Sequence, residues 1–132
     1  MLTNLFSFPN FERSKVTVWY NKRYSITAFS NHAKEVGFKL IETHAPVVEF
    51  YSDNHKHLNL CEQVFAWMQG EIWSPNGEAR SLIESIEGVQ HTSMMVSDIV
   101  QIDKKIFVCA AYGFVEVGSL EGDVFVPKDE ES

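Results

Sequence analysis

The spacing of apolar and polar positions changes period several times along this chain, and each change predicts a new element. Lys15–Tyr20 and Tyr24–Phe29 are rich in β-branched and aromatic residues and flank the polar turn Asn21-Lys22-Arg23, which predicts a hairpin. Asn31–Val36 predicts one helical turn ending at Gly37. Phe38–Thr43 alternates, with Phe38 and Leu40 on one register, and predicts a strand; Pro46 then opens another over Val47–Tyr51. After the turn cluster Ser52-Asp53-Asn54 the period becomes helical. From about Leu58 to Gln69, the residues Leu60, Val64, Trp67 and Met68 form one stripe that Cys61 and Phe65 widen. Gly70 suits the end of that helix, because glycine tolerates the left-handed conformation found there.

A second helix is predicted over residues 77–87. Asn76 is its expected cap, Glu78 sits in its first turn near the positive dipole end, Leu82, Ile83 and Ile86 form its buried stripe, and Gly88 ends it. The polar connector His91-Thr92-Ser93 leads to two apolar runs, Asp98–Ile102 and Ile106–Ala111, around the turn Asp103-Lys104-Lys105. Val100, Ile102, Ile106 and Val108 are expected to share one face of that hairpin. Gly113 allows a bend before Phe114–Val117, and Val124–Val126 adds a short edge strand stopped by Pro127. Together these elements predict an α+β fold, a mostly antiparallel sheet with two helices packed on one face.

At 132 residues the chain is one expected domain, able to bury about two-thirds of the surface its unfolded form exposes. Its body spans 15–127. Residues 1–14 carry Leu2, Leu5, Phe6, Phe8 and Phe11, too apolar for a free tail. This arm is expected to dock on the body or on a second copy, which makes a homodimer one expected assembly. The charged tail 128–132 is expected to be disordered.

Charge changes the picture more than composition does. The net charge is −7, but Arg13, Lys15, Lys22, Arg23, Lys34 and Lys39 against Glu12 and Glu35 give residues 1–40 a sum of +4, leaving −11 for the rest. An acidic body repels nucleic-acid phosphates and favours basic protein surfaces, so direct nucleic-acid binding is not expected. Aromatics at 13%, ten of them Phe, are more than a small core readily holds, and surface rings point to a partner. Cys61 and Cys109 belong to no CxxC and read as small core hydrophobes in a reducing compartment. The N-terminal stretch lacks the basic and continuously apolar regions of a signal peptide, and no run is long enough to span a bilayer. A cytoplasmic location and no membrane partner are the resulting expectations.

Chemical signatures are sparse. His55-x-His57-x3-Cys61 is the one metal-like spacing, but it matches no usual zinc signature and nothing places a fourth ligand there. Ser93 or Cys109 with His91 and Asp98 would be the raw material of a hydrolase, yet no nucleophile elbow is present. The seven glycines stand singly, so no phosphate loop forms. The aromatic and basic tip around Lys22 and Arg23 offers a minor nucleic-acid alternative. No catalytic residue, metal site or cofactor is therefore assigned; a small metal-dependent or hydrolytic enzyme is the alternative reading.

The tracts WSPNGEAR (73–80), HTSMMVSDIV (91–100) and IFVCAAYGFVEV (106–117) resemble small phage and plasmid proteins that share an H-T-S-M-S-V-G-D-V type segment. Among these are the YodL-like domains of large polyvalent proteins of mobile elements. The resemblance covers residues 47–117. Met95 and Ser97 stand where that pattern carries Ser and Gly, so the tight turn before Asp98 has lost the residue that favours it. What the resemblance implies is a mobile-element gene expressed in a bacterial host, a context in which inhibitors of host defence are common. The resulting expectation is a non-enzymatic phage or plasmid protein of the anti-restriction or anti-CRISPR type. It would bind a host protein or ribonucleoprotein complex through Glu71, Trp73, Glu78, Glu84 and Glu87. Glu84 and Glu87 lie three apart on the polar face of the second helix, and Trp73 is a residue type enriched at binding hot spots.

Overall fold

The computed structural model describes residues 13–22 and 39–128. Residues 1–12 of the expected arm, the strand expected at Tyr24–Phe29, the helical turn expected at Asn31–Val36 and residues 129–132 of the expected tail lie outside the described residues. Among the described residues, six strands form one antiparallel sheet: β1 (Ser14–Asn21), β2 (His44–Ser52), β3 (Ile99–Ile102), β4 (Lys105–Ala110), β5 (Gly113–Glu121) and β6 (Val124–Pro127). Their order is β2-β1-β3-β4-β5-β6. Helices α1 (His57–Trp67), α2 (Gly70–Trp73) and α3 (Arg80–Glu84) contribute side chains to the core on one face of this sheet. The fold is α+β, as the periodicities imply.

Strand alternation divides the core in two. Val16, Val18 and Tyr20 of β1, with Val100, Ile102 and Phe107, meet Leu60, Cys61 and Val64 of α1, Met68 just beyond its end and Ile83 of α3. The intervening positions Trp19, Ile99 and Ile106 point the other way and join Leu40, Leu120 and Phe125 in a second cluster. Burying each Leu, Ile, Val or Phe contributes about 1.5–3 kcal/mol, so neither face is expendable.

The sheet is strongly coiled. Lys39 bridges Val124 of the edge strand β6, and β2, the opposite edge, begins at His44. Six flat strands would put those edges roughly 24 Å apart, whereas the five-residue link reaches at most about 18 Å. The edges must therefore curl toward each other, with Leu40 of the link buried in the second cluster.

Four expectations are corrected. Residues 40–42 form a 3-10 turn (Leu40–Glu42), not part of a strand; the link crosses the sheet rather than adding to it, and Leu40 is buried without a strand partner. The β3–β4 turn uses two residues, Asp103 and Lys104, so Val100 faces Phe107 while Ile106 faces Gln101. Because strand side chains alternate, that register moves Ile106 and Val108 to the face away from Val100 and Ile102. Trp67 is 48% exposed and Leu82 is 41% exposed; the buried positions are Leu60, Cys61, Val64 and Met68 in the first helical region and Ile83 in α3. Finally, Asn76 caps nothing. The Ser74 hydroxyl accepts the Ala79 N–H at 2.7 Å, and the Glu78 carboxylate accepts the Asn76 N–H at 2.9 Å. The helix that follows spans only Arg80–Glu84 rather than 77–87.

The turn before Asp98 forms despite the missing glycine. Ser97 takes φ 83°, a left-handed value that costs a residue with a Cβ. Its N–H donates to the Cys109 carbonyl at 2.8 Å, and the Asp98 N–H closes the turn on the Met95 carbonyl at 3.0 Å.

Candidate functional site

The connector from Gly88 to Asp98 organises the polar part of the molecule. Gly88, at φ 91°, turns the chain out of the helical region. The His91 ring then stacks on Tyr20 of β1, with centroids 4.6 Å apart and planes inclined 18°. The Thr92 carbonyl accepts from Tyr20 Oη at 2.7 Å and from Trp73 Nε1 at 2.9 Å. Ser93 Oγ accepts the Gly70 N–H at 2.6 Å, and the Met94 N–H donates to the Met68 carbonyl at 3.1 Å. These bonds tie the connector to β1, α2 and the end of α1 within a few residues.

Asp98 is the hub. Its carboxylate is fully buried and accepts the Asn21 N–H at 2.7 Å, the Met95 N–H at 2.8 Å and His91 Nε2 at 2.8 Å. Burial pushes the Asp98 carboxyl above its usual range, and the His91, Asn21 and Met95 donors pull the other way. Burial also holds the Tyr20 phenol well above its ordinary value, with the nearby Asp98 charge adding to the effect, so it stays a donor. His44, fully buried, binds Thr43 Oγ1 through Nδ1 at 2.8 Å and the Ser97 carbonyl through Nε2 at 2.7 Å. The carbonyl can only accept, so Nε2 carries the proton.

The raw material of a hydrolase is thus partly assembled. His91 and Asp98 meet, but Ser93 Oγ is engaged by the Gly70 N–H. Burial pushes the Cys109 thiol up to about 11 and the Cys61 thiol up to about 12, which disfavours the nucleophilic thiolate of either. Cys61 lies in the core, and the His57 ring packs edge-on against Phe107 at 5.8 Å. Among the described residues, no three or more His, Cys, Asp or Glu gather as a metal site. Among them also, no helix is long and apolar enough to cross a membrane.

The five expected partner-binding residues separate into two groups. Trp73 is half-buried and packs against the core with its indole N–H fixed on Thr92. Glu78 is bound to Asn76, whose backbone N–H holds its carboxyl below the usual range. Glu71 is exposed on α2. Glu84 and Glu87 are exposed, form no ion pair among the described residues, and line the same cleft of about 570 Å3. Ile83, Ile86 and Val89 supply its apolar walls, and Arg80, Gln90 and Thr92 complete it. Gln90 and Thr92 belong to the connector that Asp98 and Tyr20 fix in place, so the hub positions one wall of the acidic cleft. Sequence reasoning missed Arg80, Gln90, Tyr20 and His44; only their approach in the fold, not any local spacing, singles them out.

Comparison of the chain with protein-family models, with curated proteins and with solved structures returned no match.

Proposed function

We propose that this chain acts by docking, not by turnover. It is a mobile-element protein that works in the cytoplasm of a bacterial host, where it occupies a basic surface of a defence or nucleic-acid-processing complex. The observation that carries this reading is the pairing of Glu84 and Glu87 at one cleft: two exposed carboxylates, without ion-pair partners among the described residues, set over the apolar side chains Ile83, Ile86 and Val89. Two carboxylates against one basic lining residue, Arg80, leave the described lining net acidic beside apolar area, a combination that suits a basic partner surface, since steering and desolvated contact come from adjacent groups. The net charge of −7 adds long-range attraction for such a surface.

The test is affinity capture from host lysate, followed by mass spectrometry, with the native chain and with an E84K/E87K chain. The native chain is expected to retain a defined host complex and the charge-reversed chain to lose it, while both melt at the same temperature. Identical partner sets for the two chains would overturn the proposal, as would turnover of a small compound by the purified protein.

A further inference from the structure

A second cleft lies between α1 and the β4–β5 hairpin, apart from the acidic one. It measures about 250 Å3, below the roughly 300–1,000 Å3 of sites that hold small-molecule ligands, so it suits a single side chain. Its walls are Phe65 of α1, Phe114 of β5, and Ala110 and Ala111 of the hairpin. The two rings stand edge to face, 6.4 Å apart at 76°. Gly113, at φ 108°, turns the hairpin without placing a side chain in the opening. Cys109 also lines it; burial keeps this thiol protonated, so it adds no charge.

One charged group stands at the rim. Glu62 is three residues before Phe65 on the helix, so the two side chains share a face. Its Oε2 lies 3.6 Å from where a Cβ on Gly113 would sit, which sets the carboxylate beside the hairpin turn. Glu62 is exposed and, among the described residues, in no ion pair. Two aromatic rings and an unpaired carboxylate around a one-side-chain opening repel anions and leave a plain apolar group with nothing for the carboxylate. A cation answers both features, through the ring face and through a charge-assisted hydrogen bond. A guanidinium does so better than an ammonium, because it is planar, stacks on rings and is more weakly hydrated.

We propose that this cleft receives one arginine side chain of a partner protein. The cleft uses none of the residues around Glu84 and Glu87, so it is a second anchor rather than a restatement of the first. The experiment is an NMR titration of the full chain with the capped tripeptide Gly-Arg-Gly, against Gly-Leu-Gly and Gly-Glu-Gly. The arginine peptide is expected to shift the Phe65, Gly113 and Phe114 amides saturably, and the other two peptides are not. E62Q should weaken the arginine peptide by about tenfold, the effect of losing one charged hydrogen-bond partner, with the melting temperature unchanged. A leucine peptide that binds as well, an E62Q chain that binds as tightly, or the lack of saturation with arginine each overturns the proposal. The E84K/E87K chain should keep this titration. Failure here therefore leaves the acidic-cleft reading standing, and failure of the lysate capture leaves this pocket standing.

Discussion

Asp98 and Glu84 carry the same functional group in opposite settings. Asp98 is fully buried and accepts N–H groups from β1, from its own turn and from His91. Glu84, fourteen residues earlier, is exposed at a cleft and in no ion pair among the described residues. The difference lies in what surrounds each charge. A carboxylate enclosed by donors fixes the chain around it, and one left in solvent remains able to attract something else. Reading both simply as acidic residues hides that the first holds the connector in place and the second uses the surface the connector helps to build.

The largest test of this contrast is removal of the buried group. Asp98→Ala leaves the Asn21 and Met95 N–H groups and His91 Nε2 without their acceptor. Leaving a buried donor without its acceptor costs about 1–3 kcal/mol, and with three donors affected, one of them on the partly exposed His91, a loss of about 3 kcal/mol or more is expected. Urea titration of the variant measures it. Charge reversal at Glu84 and Glu87, by contrast, should stay within about 0.5 kcal/mol. A loss at Asp98 as small as that would erase the distinction between the two carboxylates.

A somewhat smaller effect comes from pH, through the other buried titratable group of the hub. Burial lowers His44 from the usual 6.5 to about 4, and the positive charges of Lys22 and His91 act in the same direction. The folded state thus keeps His44 neutral where the unfolded chain takes up a proton, so stability falls as pH drops from about 6.5 toward 4. At 1.36 kcal/mol per pKa unit the contribution is roughly 3 kcal/mol. Asp98 runs the opposite way. Its raised carboxyl binds a proton more tightly in the fold, so its term favours folding at low pH and is lost as pH rises through the folded value. Urea unfolding at about pH 7, 5.5 and 4.5 is expected to show a net fall in stability toward acid, shallower at the low end where Asp98 counteracts His44. A flat profile would mean that His44 is not desolvated as its position implies.

Local spacing revealed the elements better than it revealed their relations. Of the expected stripe Leu60, Val64, Trp67 and Met68, all but Trp67 are buried, with Cys61 beside them, because helical periodicity is written within a dozen residues. The β3–β4 hairpin was legible, but its facing was not: one residue more or less in the turn inverts every side chain after it, and the sequence Asp103-Lys104-Lys105 does not state the count. Leu40 reads as a strand position because a buried link and a strand both enclose an apolar residue between polar ones. Glu84 and Glu87 are both exposed, but Glu87 lies beyond the helix that ends at Glu84, so the helical spacing expected to pair them is not what brings them to one cleft. The roles of Trp73 and Glu78 were not legible, since Trp73 binds a carbonyl 19 positions away and Glu78 binds back to Asn76. Nor was the pairing of Asp98 with Asn21, which are 77 positions apart; no window of sequence contains both.

The smallest predicted effect concerns the turn on which the hub depends. Ser97 holds φ 83°, and a left-handed conformation costs a residue with a Cβ about 1–2 kcal/mol. Ser97→Gly removes that cost but frees the unfolded chain, which opposes folding by about 0.5–1 kcal/mol. The balance is a gain of roughly 0.5–1 kcal/mol, measurable as a shift of the urea midpoint. Ser97→Ala is the control: it deletes the hydroxyl and keeps the Cβ, so no gain is expected. If glycine destabilises and alanine does so equally, the serine hydroxyl supports the turn. If glycine alone gains, the strain lies in the backbone at the point where Asp98 is delivered to its donors, and the contrast with the unstrained exterior of Glu84 becomes sharper.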